Sequence, residues 1–120
     1  ETNFDKISTQ IDFLGYKLTL PLMISAMTGG PAKANSLNKQ LAEFADENKL
    51  AFSYGSLRVL LENRELIDEF KVGVSKAPVI GNLGLVQLNY GVSVRDIKWL
   101  INELELDAFC FHLNERELSP

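Results

Sequence analysis

The sequence holds a single cysteine, Cys110, so it can form no internal disulfide. That fits a reducing, cytoplasmic setting. No apolar run reaches membrane-spanning length, and the amino end has no signal-peptide pattern, so a membrane is not an expected partner. A basic stripe with interleaved aromatics is also missing. Acidic residues number 16 against 12 basic ones, for a formal net charge of -4, so nucleic acid is not an expected partner either. "MTGGPAKAN" lacks the Gly-Lys-Ser/Thr ending of a P-loop, and "GNLGLVQ" is not the Gly-x-Gly-x-x-Gly dinucleotide fingerprint. His, Cys and carboxylates nowhere take zinc-site spacing, and no nucleophile elbow points to a hydrolase. There is no low-complexity segment and no Pro/Gly/Ser-rich linker.

What is present suits one globular domain. The chain has 120 residues, of which 46% are hydrophobic and 23% charged. Four short apolar runs recur: "LPLMISAM", "LAFSYG", "APVIGNLG" and "DAFCFHLN". They are continuous rather than alternating, as in strands buried on both faces of a parallel sheet. Phe109 to Phe111, with Cys110 as a small core residue, are expected in a buried fourth strand that ends at His112. Between the runs lie helical stripes: Leu37, Leu41, Phe44 and Ala45; then Leu66, Ile67 and Phe70; then Val94, Ile97, Leu100, Ile101 and Leu104. Ser93 with Asp96 resembles a capping box. Ile11, Phe13 and Leu18 suggest a small preceding hairpin around Gly15. The order strand, helix, strand, helix, strand, helix, strand implies right-handed crossovers and a parallel α/β sheet.

All four strands end in polar or glycine residues. The first ends in Met27, Thr28, Gly29 and Gly30, and the second in "YGSLR", with Ser56 and Arg58. The third ends in "GNLG", with Asn82, and the fourth in "HLN", with His112 and Asn114. In parallel α/β architectures such ends share one face, where ligands bind. Each residue also has an ordinary structural reading. Glycines turn chains, Arg58 can pair with Glu62, Asn82 can be a turn residue, and His112 can be a hydrogen-bonded structural group. Their repetition at one topological position favours a site. Backbone amides, hydroxyls, one guanidinium and one imidazole suit an anionic, partly aromatic ligand without naming a reaction.

"IDFLGYKLTLPLMISAMTGG", "NKQLAEFA", "GSLR", "GNLGLVQLNYG" and "HLN" stand in an order and spacing that resembles type II isopentenyl-diphosphate isomerases over nearly the whole chain. The resemblance implies a flavin-dependent (β/α)8 TIM barrel that interconverts isopentenyl and dimethylallyl diphosphate, with FMN, NADPH as its reductant, and Mg2+. It implies that Ala26, Met27, Thr28, Ser56 and Asn82 touch the flavin. By the same resemblance Ser56, Leu57 and Arg58 lie near the diphosphate, His112 and Asn114 sit at the catalytic, substrate end, and Glu117 stands near the metal. A homo-oligomer is expected. The chemistry is consistent with these roles. Arg58 can offer a diphosphate a bidentate fork, and a reduced flavin is suited to alkene protonation, the cofactor doing the hard step while the protein orients it.

Several features depart from the family pattern. Its Arg-Lys-x-x-His-type amino-terminal segment is not in this sequence. Leu57 replaces the Gln of "GSQR", and "HLNERELSP" stands where Pro-Leu-Gln-Glu normally follows "HLN". A (β/α)8 barrel takes about 250 residues. Residues 1–120 are therefore expected to form the amino-terminal half of one barrel domain, inactive when isolated. Two other readings are an FMN-dependent 2-hydroxy acid oxidase or dehydrogenase barrel, against which "NLG-x-VQLNYG" argues, and a non-catalytic half-barrel that self-associates.

Overall fold

The computed structural model describes residues 3–25 and 32–114. It begins with an antiparallel hairpin, β1 (Ile11–Phe13) and β2 (Tyr16–Leu18), with Phe13 opposite Tyr16. Leu14 and Gly15 form the two-residue loop with φ of 51° and 83°, the positive values that a twist-matched hairpin turn requires. A four-stranded parallel sheet follows, in the order β3 (Met23–Ile24), β4 (Ala51–Ser53), β5 (Val79–Gly84), β6 (Ala108–His112). α1 (Ala32–Glu47) joins β3 to β4. Two short helices, α2 (Arg58–Glu62) and α3 (Ile67–Phe70), join β4 to β5, and α4 (Val94–Glu103) joins β5 to β6. The observed architecture is thus a parallel sheet of four strands flanked by helices. No helix among the described residues is long and apolar enough to cross a membrane.

Side chains alternate across each strand, and the register shows which of them share a face. Ile24 pairs with Phe52, Phe52 with Val79, and Gly81 with Phe109. Ile24, Phe52, Val79 and Phe109 pack with Ala42, Ala45, Leu60, Phe70 and Leu100 in the main core. Within this core Tyr54 lies edge-on to Phe52, with ring centroids 5.3 Å apart, and its hydroxyl donates to the Phe70 carbonyl at 2.6 Å. Burial raises the Tyr54 pKa far above the usual phenol range, so this hydroxyl stays neutral and serves structure.

The connections from helix to strand are built alike. After α1, Lys49 takes a φ of 52° and Leu50 N–H donates to the Ala45 carbonyl at 2.8 Å. After α4, Glu105 takes a φ of 50° and Leu106 N–H donates to the Ile101 carbonyl at 3.0 Å. Each is a left-handed cap that returns a buried leucine, Leu50 or Leu106, to the core. Asp46 holds the loop before β5, accepting from the Ser75 and Lys76 N–H groups at 3.0 and 2.6 Å. Tyr16 donates to Asp107 at 2.9 Å. The other oxygen of Asp107 accepts from Val79 N–H, also at 2.9 Å. The hairpin is thereby tied to the start of β6.

Four expectations need correction. Leu37 and Phe44 are 42% and 55% exposed. α1 instead buries Asn35, Asn38, Ala42 and Ala45, whose small or compact side chains let the helix sit close to the sheet. Val94, at 69%, opens α4 beyond the core. Leu66, Ile67 and Phe70 do pack on the core, but the single helix expected between the second and third strands is two short ones linked by a 3-10 turn at Arg64–Leu66. Finally, β6 is not a buried strand: Cys110 is exposed and Phe111 is 42% exposed. Among the described residues the strand lies at the sheet edge, with β5 alone beside it.

Candidate functional site

The sheet face opposite the main core carries small or polar side chains. By alternation from the registered pairs, Ala51 and Ser53 of β4, Ile80, Asn82 and Gly84 of β5, and Ala108, Cys110 and His112 of β6 share it. Toward the carboxyl ends of the strands this face becomes the most polar part of the sheet. There three of the expected site segments meet.

Asn82 is the point of convergence. Its backbone carbonyl accepts from Leu57 N–H at 2.9 Å, which holds the turn after β4 against β5. Its side-chain Oδ1 lies 2.7 Å from His112 Nδ1 on the next strand. Asn82 and His112 are both half-buried, so neither polar group is sealed from a ligand. Within the turn, Ser56 Oγ accepts from Arg58 N–H at 3.4 Å. Leu57 turns its side chain into the core, where it is 0% exposed. Its backbone is engaged as well, the N–H on the Asn82 carbonyl and the carbonyl accepting from Leu60 and Leu61 N–H.

Arg58 opens α2 with its side chain 55% exposed and its Nε 3.6 Å from Glu62. It borders a cleft of about 220 Å³ whose other walls include Gln87, Tyr90 and Asp96. Gln87 belongs to the "VQLNYG" run, but sequence reading did not single it out. Its signal was that this run directly follows a strand end. Nearby, Arg64 lies over the Trp99 ring, 4.5 Å from its centroid, and pairs with Asp96. Asp96 also closes a capping box with Ser93 at the start of α4. Hydrogen bonds from Ser93, with a smaller contribution from Arg64, lower the Asp96 pKa.

The structure therefore brings Ser56, Leu57, Arg58, Asn82 and His112 to one end of the sheet. Asn114 follows β6 by two positions and is exposed. Ala26, Met27, Thr28 and Glu117 lie outside the described residues. Among the described residues, no group of three or more His, Cys, Asp or Glu side chains is placed to hold a metal.

No family model matches the chain. Comparison with curated proteins finds 40% identity over 116 residues with the isopentenyl-diphosphate delta-isomerases of Rickettsia prowazekii (strain Madrid E), Rickettsia rickettsii (strain Sheila Smith) and Rickettsia akari (strain Hartford). Each match takes in 95% of this chain but 34% of the relative. The chain is thus similar, almost end to end, to about one third of proteins that carry that name.

Proposed function

We propose that this chain is part of a type II isopentenyl-diphosphate delta-isomerase, and that residues 1–120 contribute four strands to a single (β/α)8 barrel domain. One observation carries the reading: 40% identity sustained over 116 residues, a span that includes the strand ends that converge on Asn82. On this reading the reaction is the interconversion of isopentenyl and dimethylallyl diphosphate. FMN, reduced by NADPH, and Mg2+ are the cofactors, in a cytoplasmic homo-oligomer. The remaining strands correspond to the part of the relatives that this chain does not span.

The donor set fits a flavin. The Ser56 hydroxyl and the Asn82 amide can meet the polar edge of the ring. When bound, reduced flavin would supply a transferable proton and an electron-rich surface against positive charge on the substrate. The chain's own residues bind and orient. Arg58 exchanges its exposed pairing with Glu62 for a diphosphate, gaining a charge-assisted, bidentate contact. The Ser56 hydroxyl, whose oxygen accepts from Arg58 N–H, keeps its own hydrogen as a neutral donor. His112, held by Asn82, and Asn114 face the substrate end and limit how its alkene can lie. Glu117 is assigned to the Mg2+ by the family resemblance.

The test is product analysis with isopentenyl diphosphate, reduced FMN and Mg2+. It is run on this chain alone and on the chain co-expressed with the remaining two thirds of a relative. Dimethylallyl diphosphate is expected from the combined protein and not from the isolated chain. A combined protein that binds FMN, oxidises 2-hydroxy acids and leaves isopentenyl diphosphate unchanged would sink the proposal in favour of the oxidase-type barrel.

A further inference from the structure

We infer that Asn82 is a positioning residue that keeps neutral His112 in the tautomer with its hydrogen on Nδ1, leaving Nε2 as the acceptor turned to the ligand. Oδ1 of Asn82 is a carbonyl oxygen and cannot donate, so at 2.7 Å from Nδ1 the hydrogen must sit on the ring. The separation falls at the short end of the N–H···O hydrogen-bond range. The acceptor is also well anchored. Asn82 lies in β5, which is paired on both sides, opposite Cys110 in the β6 register and two positions from the Gly84–His112 pair. Its carbonyl is bound in turn by Leu57 N–H. The side chain of Asn82 therefore cannot drift with a loop, and the imidazole takes its orientation from the central strand. The partner of one ring nitrogen sets the role of the other.

The consequence for the site is specific. A neutral imidazole held this way accepts a hydrogen bond or a proton at Nε2 and does not donate one there. It suits an N–H or O–H group of a ligand, not a bare phosphate oxygen. The Nδ2 of Asn82 remains the donor of that side chain. The same amide can then serve both the histidine and a cofactor carbonyl, a catalytic meaning that rests on the isomerase reading.

His112 is the sole histidine of the chain, so long-range ¹H–¹⁵N correlation spectra of the ¹⁵N-labelled protein read this ring without assignment ambiguity. In the neutral ring, Nδ1 is expected at the protonated-nitrogen position and Nε2 at the lone-pair position. Asn82→Asp keeps an acceptor in place and should preserve the pattern. Asn82→Leu removes it, and the two nitrogens should exchange positions or average. A wild-type spectrum with the hydrogen on Nε2 overturns the inference, as does an Asn82→Leu spectrum like the wild type. If Asn82→Leu fails to fold, the wild-type and Asn82→Asp spectra still decide. The readout needs neither flavin nor diphosphate, so its failure and a failed product assay are separate results.

Discussion

Gly81 lies where β5 passes closest to the last strand. A Cβ built there would fall 2.6 Å from Leu106 Cδ1 and 2.7 Å from Phe109 Cδ2. Gly81→Ala is therefore expected to destabilise the fold by about 1–3 kcal/mol through overpacking, read as a lower midpoint in urea. Asn82 follows directly, so the same change should disturb the contact with His112. Arg58 is the opposite kind of residue, exposed and held only by a surface ion pair that is worth little. Arg58→Ala in the combined enzyme should leave folding and flavin content near normal. It should raise KM for the diphosphate by about 10- to 100-fold, from the loss of roughly 1.5–3 kcal/mol of charge-assisted bonding. Steady-state kinetics beside the visible spectrum checks this, and parallel loss of flavin and activity would count against the assignment. Ser56, Asn82 and His112 are legible as separate candidates, because each ends an apolar run. Their union is not, because it depends on strand register, and four residues on a continuous apolar run do not reveal which pairs meet. Cys110 misleads for a related reason. "AFCFH" has core composition whether or not a fifth strand lies beside it.

At the scale of elements, α4 shows how firmly local chemistry can define a helix. Ser93 and Asp96 form the reciprocal cap that their spacing suggests. Because hydrogen bonding to Ser93 lowers the Asp96 pKa, the folded state binds this proton less readily than the unfolded chain does. The contribution of Asp96 is then present above the unfolded carboxylate range and is lost as pH falls through the lower folded value. Asp96→Asn should lower Tm at neutral pH, and its gap from wild type should narrow on acidification below about pH 4. Thermal melts across that range check the sign. At the other end, Glu105 holds a left-handed conformation without being glycine. Glu105→Gly should stabilise by about 0.5–1 kcal/mol, since relief of about 1–2 kcal/mol exceeds most of the roughly 0.5–1 kcal/mol of added chain freedom. Chemical denaturation would measure the gain. α1 was harder to read. Of the stripe Leu37, Leu41, Phe44 and Ala45, Leu41 and Ala45 do meet the core, but the buried line runs on through Asn35, Asn38 and Ala42. Small and polar groups carry almost no periodic hydrophobic signal, so Leu37 and Phe44 are read inward although they face out.

As a whole, the molecule is open. Its radius of gyration is 16.1 Å, against roughly 13.6 Å for a compact chain of this length. Among the described residues β3 and β6 each have one strand neighbour, which leaves ladder groups available for further pairing. The alternation of apolar runs with helical stripes makes the parallel sheet legible. Tyr16 and Asp107 are 91 positions apart, so joining them requires nearly the whole described sheet to be in place. A contact that closes so long a loop gives no return until the strands between have assembled. It should be absent from the transition state for folding. Tyr16→Phe is then expected to leave the refolding rate unchanged and to speed unfolding by roughly 2- to 10-fold, the kinetic equivalent of a hydrogen bond of about 0.5–1.5 kcal/mol. In stopped-flow measurements only the unfolding arm should move. That would make the bond a latch, one that sets how long the folded sheet lasts and not how quickly it forms.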